Sequence, residues 1–261
     1  MPGTIRVEKE GPLGWLIFDH PERRNAISGD MWRALPDAAR ELAEDGDVRV
    51  VVLRGAGDVA FVSGADISEF GQSRTGADAA ASYDHTTAAA FASLMNLEKP
   101  VLAMIHGFCV GGGMATALAA DMRYAADDGV FAIPAARLGL GYHAPGIEAL
   151  MGLVGPATAK EIFFTARRYT AEEALHLGLV NGVFPKADLE AEVRERAEQI
   201  AANAPLTVRS VKQIVRELGR EPAQRDQEAI RRSILACFES EDYKEGVRAF
   251  LEKRKPRFSG R

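Results

Sequence analysis

Phe61-Val62-Ser63-Gly64-Ala65-Asp66 and Gly107-Phe108-Cys109-Val110-Gly111-Gly112-Gly113 each lie between a strand pattern and a helix pattern, and the reading of these two stretches decides the fold. Each turn can aim backbone N–H groups into open space, and two such turns facing one another hold one developing negative charge. Outward from them, Val48 to Leu53 is a β-branched strand closed by Arg54-Gly55-Ala56-Gly57, and Pro100 to Ile105 is the strand before the triple glycine. Ile5 to Glu8 alternates in and out, Trp15 to Phe18 is a short apolar run, and Ser28 with Asp30 begins a helix carrying Met31, Leu35, Ala38, Ala39 and Leu42. A polar, Ala-rich stretch from Gly71 to Ala80 reads as a loop before a helix through Phe91, Leu94 and Met95. Met122 to Ala125 and Val130 to Ile133 complete a second βαβ-like unit. Repetition of strand, glycine turn and helix predicts an α/β layer architecture.

The remainder reads as helical. Pro156 opens a helix through Ile162 and Phe163, Thr170 with Glu173 forms a capping box for Ala171 to Leu177, and Gly178 closes it. Amphipathic helices follow over residues 186–202, 206–218 and 222–238, with a short one over 242–251 and a frayed end from Pro256 to Arg261. The expected division is a core over 1–200 and a helical region over 201–261, which either packs on the core, closing the pocket, or builds an oligomer contact.

With 261 residues, 47% of them hydrophobic and 26% charged, the chain can bury a substantial core. A net charge of −5 leaves no basic surplus, which argues against nucleic acid or an anionic membrane as the main partner. Cys109 and Cys237 make no disulfide framework, so a reducing, cytoplasmic setting is expected, with Cys109 a small buried side chain. No apolar stretch approaches the roughly 18 residues of a membrane span, and the amino terminus carries no address. His20, His85, His106 and His176 are scattered without metal-ligand spacing, so no metal site is expected.

The turn at Gly107 to Gly113 has no G-x-G-x-x-G spacing and no lysine followed by Ser or Thr, so neither a dinucleotide nor a P-loop cradle is written there. Adjacent glycines also permit plain close packing of a helix on a sheet. The helix after the second turn reads Met114-Ala115-Thr116-Ala117 and the next loop Pro134-Ala135-Ala136-Arg137, without a carboxylate in either. Asp66 and Asp121 read as helix-end residues, and Glu148 as solvent-facing.

Nearly the whole chain resembles the crotonase (enoyl-CoA hydratase/isomerase) superfamily. Phe61 to Ile67 is similar to the family's first oxyanion segment, His106 to Gly113 to its second, Pro21 to Ala26 to its adenine-binding turn, and Thr165 to Asn181 to its signature after the core. The resemblance implies an α/β fold, a crotonase-like spiral of ββα units with a helical C-terminal trimerisation region, assembled as a homotrimer or a dimer of trimers. It implies that Ala65 and Gly112 offer their N–H groups to a thioester oxygen. It implies too that Arg23, Arg24, Ala26, Gly64, Asp66 and Ile67 surround the coenzyme A part of an acyl-CoA substrate, with no permanently bound cofactor. The loop from Phe70 to His85 is expected to set the length of the acyl chain.

Hydratases of this family carry one glutamate two residues after the triple glycine and another just after the proline of the next loop, where this chain has Ala115 and Ala135. Hydration needs a base on water and an acid at the α-carbon. Tyr142 and His143, on the loop Leu138 to Gly146, are the candidate catalytic groups. Tyr142 matches a tyrosine of methylmalonyl-CoA decarboxylases, which differ from this chain at Ala65 and Ala115. The classes left open are an enolate-stabilising lyase or isomerase close to the enoyl-CoA hydratases, a decarboxylase, and a non-catalytic acyl-CoA binder.

Overall fold

The computed structural model describes residues 2–69, 77–142 and 144–261. Its strands fall into two sheets. The larger runs β1 (Thr4–Glu10), β2 (Leu13–Asp19), β3 (Val50–Gly55), β5 (Val101–Ile105), β7 (Met122–Ala126) and β10 (Gly182–Phe184), in that order across the sheet. Only β1 and β2 pair antiparallel in it; β2, β3, β5, β7 and β10 are parallel neighbours. The smaller sheet orders β4 (Ala60–Val62), β6 (Phe108–Val110), β8 (Val130–Ala132) and β9 (Tyr169–Thr170).

Strand patterning explains why the larger sheet is buried on both sides. Leu16, Phe18, Val51, Leu53, Val101 and Ala103 point to one core, with α1 (Gly29–Glu44), α2 (Ala77–Met95) and α3 (Gly112–Leu118) above them. Trp15, Ile17, Val50, Val52, Leu102 and Met104 point to the other, covered by Leu189, Val193, Ala197 and Ala201 of α7 (Leu189–Ala201). A parallel sheet with covered faces reads as continuous apolar runs, as these strands do.

Successive turns of chain repeat one plan: a strand in the large sheet, a short strand in the small one, then a helix. β3-β4-α2 and β5-β6-α3 follow it, and β7-β8 leads to α4 (Ala135–Leu138) and α5 (Ala144–Thr165). This is the expected spiral of ββα units. It corrects the βαβ reading of the local sequence, because Ala60–Val62 and Phe108–Val110 are strands of a second sheet inside what read as glycine turns. Three-residue strands are too short for periodicity to register.

Other boundaries move for identifiable reasons. Helix α2 begins at Ala77, so the part of the expected loop from Ala77 to His85 is helical, while residues 70–76 lie outside those described. The helix expected from Pro156 is the second half of α5, set off from the first by Gly155 at φ 76°. The Thr170–Glu173 capping box forms as read and starts α6 (Ala171–His176). Asp121 ends no helix: α3 stops at Leu118, and the Asp121 carboxylate accepts from Val101 N and Lys212 Nζ, both at 2.7 Å, tying the core to α8 (Pro205–Leu218).

The tail is not frayed. Beyond α9 (Gln227–Glu239) and α10 (Glu241–Leu251), the Asp242 carboxylate accepts from Ser259 N at 2.7 Å and Gly260 N at 2.8 Å, and Glu245 accepts from Arg257 N at 3.0 Å. Guanidinium groups of Arg254 and Arg248 beside Glu245 hold its carboxyl well below the usual carboxylate range. Buried acids on a preceding helix are the physical reason a polar C-terminus becomes ordered.

Asn25 is the joint that brings the first turn into place. It adopts a left-handed φ of 56°, which asparagine tolerates, and is 1% exposed. Its side chain accepts from His20 N at 3.0 Å and donates to Ala56 O at 2.9 Å and Ala60 O at 2.7 Å, joining the end of β2 to the β3–β4 connection. Asn25→Ala leaves these groups unpaired and is expected to lower unfolding stability by about 3 kcal/mol, read from urea denaturation.

Candidate active site

The two glycine segments meet. Ile27 N donates to Gly64 O at 2.8 Å and Asp66 N to Ile27 O at 2.9 Å, a parallel bridge that uses the groups either side of Ala65. The N–H of Ala65 therefore points away from that ladder, and among the described residues no acceptor takes it. On the other side, Gly111 turns at φ 53°, a conformation that favours glycine, and gives its own N–H to Ala132 O at 2.9 Å. Helix α3 then starts at Gly112 with no side-chain cap. The first N–H groups of a helix have no partner within it and lie at the positive end of its dipole.

Packing fixes the distance between these donors. A Cβ on Gly113 would stand 2.0 Å from Val62 O, so only glycine lets α3 start this close to β4. A Cβ on Gly112 would stand 3.3 Å from Ala65 N and 3.4 Å from Trp32 Cζ2. Ala65 and Gly112, paired from sequence, are thus brought together. Thr116 Oγ1 donates to Gly112 O at 2.8 Å and steadies the helix start from behind.

The residues assigned to the coenzyme gather beside Ala65. Ser63 N donates to Arg24 O at 3.1 Å and Ser63 Oγ to Arg23 O at 3.1 Å, so the Pro21–Ala26 turn runs along the Ser63–Asp66 segment. Ala26 is buried, Ile67 is 58% exposed, and Gly64 sits at φ 130°. Burial pushes the Asp66 carboxyl up, but the Ser68 hydroxyl and N–H and the Arg23 guanidinium outweigh it and hold the group below the usual carboxylate range. Asp66 caps the short turn Ile67–Glu69 by accepting from Ser68 N at 3.0 Å, and meets Arg23 at 3.5 Å.

Arg24 lies over the half-buried Phe108 ring at 4.9 Å, and Arg168 approaches the same ring at 5.9 Å. Arg167, by contrast, is neutralised by Glu173 at 2.7 Å. Neither Arg24 nor Arg168 has an ion pair among the described residues, so two uncompensated guanidinium groups flank one aromatic face, a surface suited to an anion. Arg168 was not legible as part of the site. Its only signal is the Arg167-Arg168 doublet before β9, and 144 positions of sequence separate it from Arg24.

Tyr142 packs edge-on against Phe163, centroids 4.8 Å apart, and its hydroxyl has no hydrogen-bond partner among the described residues. Burial pushes that hydroxyl up to about 12, with the nearby Cys109 thiol adding to it. At neutral pH Tyr142 is therefore a donor and not a base. His143 lies outside the described residues. Ala115 and Ala135 occupy α3 and the start of α4, and Glu148 is exposed. No cluster of His, Cys, Asp and Glu suited to a metal ion occurs among the described residues, and no helix there is long and apolar enough to cross a membrane.

The family model described as enoyl-CoA hydratase/isomerase matches residues 8–261. The chain belongs to this enoyl-CoA hydratase/isomerase family. Among its relatives is a carnitinyl-CoA dehydratase of Salmonella typhi, 33% identical over 265 residues and covering 100% of both chains. Similar solved structures of the crotonase fold include an enoyl-CoA hydratase/carnithine racemase from Magnetospirillum magneticum, with a TM-score of 0.95, 36% identity and coverage of 99% of this chain and 96% of that one. An enoyl-CoA hydratase/isomerase family protein from Hyphomonas neptunium aligns with a TM-score of 0.94, 40% identity and 98% coverage of each chain.

The raised Tyr142 pKa has a consequence for stability. Between pH 10 and about 12 the unfolded chain loses this proton and the folded chain keeps it, so the contribution is full below pH 10 and falls as pH rises through that window. Unfolding free energies measured across it are expected to fall more steeply for the wild type than for Tyr142→Phe.

Proposed function

We propose that the chain binds an acyl-CoA thioester and stabilises the enolate formed from it, with the N–H groups of Ala65 and Gly112 donating to the thioester oxygen. The observation that carries this reading is the 3.3 Å approach of the Gly112 Cβ position to Ala65 N, with the N–H groups of Ala65 and Gly112 given no acceptor among the described residues. Charge builds on that oxygen only as the α-carbon becomes nucleophilic, so donors fixed in advance act on the transition state more than on the bound substrate. Arg23, Arg24 and Arg168 face the phosphates of coenzyme A, and Ala26, Gly64, Asp66 and Ile67 border its adenine. No permanently bound cofactor takes part.

Tyr142, protonated at neutral pH, donates a hydrogen bond to the acyl group, and His143 is the candidate for moving a proton at the α- or γ-carbon. With alanine at positions 115 and 135, the paired-glutamate route for adding or removing water is absent. Decarboxylation is the second reading, favoured by the protonated, half-buried Tyr142 that matches a tyrosine of methylmalonyl-CoA decarboxylases, with Ala65 and Ala115 standing against it. Loss of carbon dioxide leaves the bonding electrons on the α-carbon and thioester, and so needs an oxyanion hole but no general base. A product assay with crotonyl-CoA, carnitinyl-CoA and methylmalonyl-CoA side by side separates hydration, dehydration and decarboxylation. Ala65→Pro, which deletes one donor, is expected to lower the observed turnover at least ~100-fold, about 3 kcal/mol of barrier, with acyl-CoA binding retained. Turnover that survives this change contradicts the reading, and binding without turnover in the wild type assigns the cradle to a non-catalytic acyl-CoA binder.

The helical region over 201–261 is proposed to join copies of the chain into a homotrimer or a dimer of trimers. A groove of about 660 Å³ on α8, α9 and α10 is walled by Val211, Ile214, Ile234, Phe238, Val247 and Phe250, and Phe250 is 83% exposed. Apolar surface of this extent is costly to leave in water. Phe250→Asp is expected to shift the mass measured by light scattering toward the monomer, and an unchanged mass contradicts the assignment of this face.

A further inference from the structure

Trp32, on α1, is 2% exposed and lies beside Gly112, one member of the donor pair. Its Cζ2 edge stands 3.4 Å from the Gly112 Cβ position, the same point that lies 3.3 Å from Ala65 N. The same edge is held from α2: Nε1, joined to Cζ2 through the single atom Cε2, donates to Tyr83 Oη at 3.1 Å, and Phe91 packs edge-on with centroids 5.2 Å apart. The indole is therefore fixed in rotation and depth by one hydrogen bond and one ring contact, and it presents a rigid edge to Gly112.

Helix α1 is itself tied to the other donor. Ile27, just before its cap Ser28, pairs with the segment around Ala65, and Gly29 N donates to Glu69 Oε2 at 2.8 Å just beyond that segment. The backbone of α1 thus holds the Ala65 turn, while its first-turn side chain Trp32 holds the Gly112 turn. One short stretch, Ile27 to Trp32, sets the separation of the two N–H groups.

We propose that Trp32, locked by Tyr83, is a positioning residue for the thioester donor pair. The inference rests on the donor-pair reading given above. Donors aimed at an oxyanion act within a few tenths of an ångström of their optimum, so loosening the wedge weakens polarisation of the carbonyl before it weakens binding. Trp32→Leu removes the wedge, and Tyr83→Phe keeps the indole and removes the acceptor that fixes its rotation.

The test is the infrared difference spectrum of butyryl-CoA, labelled with carbon-13 at the thioester carbonyl and bound at saturation. The wild type is expected to shift the carbonyl stretch to lower frequency, Ala65→Pro to lose that shift, and Trp32→Leu and Tyr83→Phe to keep roughly half of it or less. For the reaction found by product assay, kcat is expected to fall ~10-fold with KM changed far less. Tyr83→Phe decides the matter if Trp32→Leu does not fold. A full shift in a folded Trp32→Leu or in Tyr83→Phe, alongside its loss in Ala65→Pro, overturns the role of Trp32 alone. Absence of any shift in the wild type overturns the donor pair and this inference with it.

Discussion

Helix α3 starts so close to β4 that its second residue has no room for a side chain, and most of the site follows from that contact. Gly113 against Val62 O sets the depth at which the helix enters, and Gly111 at φ 53° sets its direction. With both fixed, Gly112 falls beside the N–H of Ala65. A side chain at Gly113 would push the helix off β4, and one at Gly111 would strain the turn through its positive φ. The cost of the arrangement is borne by the sheets, whose doubly buried apolar strands leave little freedom for the turns between them to relax.

The same economy governs the polar groups around the site. Asp66 carries charge but is committed to Ser68 and Arg23, and Asn25 spends its whole amide on backbone groups. Among the described residues, what remains available is backbone N–H, two guanidinium groups at Phe108, and a neutral tyrosine. This inventory suits holding negative charge on a thioester and on phosphates, and it lacks the paired carboxylates that water chemistry uses. The proposed substrate class follows from family membership, while the local chemistry departs from the hydration that the family's name describes.

How far sequence carried the reading depends on the range of the interaction concerned. The glycine run, the strand before it and the Thr170–Glu173 capping box are contiguous, so backbone rules acting over a few residues reveal them. The small sheet was hidden because three-residue strands have no measurable period, and the start of α2 at Ala77 because alanine and polar residues serve loops and helices alike. Trp32 against Tyr83, and Arg24 and Arg168 each against the ring of Phe108, bring together distant segments in ways that no local pattern specifies. The ordered tail was hidden for a related reason: its partners Asp242 and Glu245 look like ordinary surface acids of an amphipathic helix, and only their burial turns them into anchors.

The account stands on the convergence of two backbone donors on one oxygen. The most direct measurement is a crystal structure of the chain with a bound, unreactive acyl-CoA. The account predicts a thioester oxygen within roughly 2.7–3.2 Å of both Ala65 N and Gly112 N. A thioester seated elsewhere, or an oxygen bonded to side chains with those two N–H groups left to water, would contradict it.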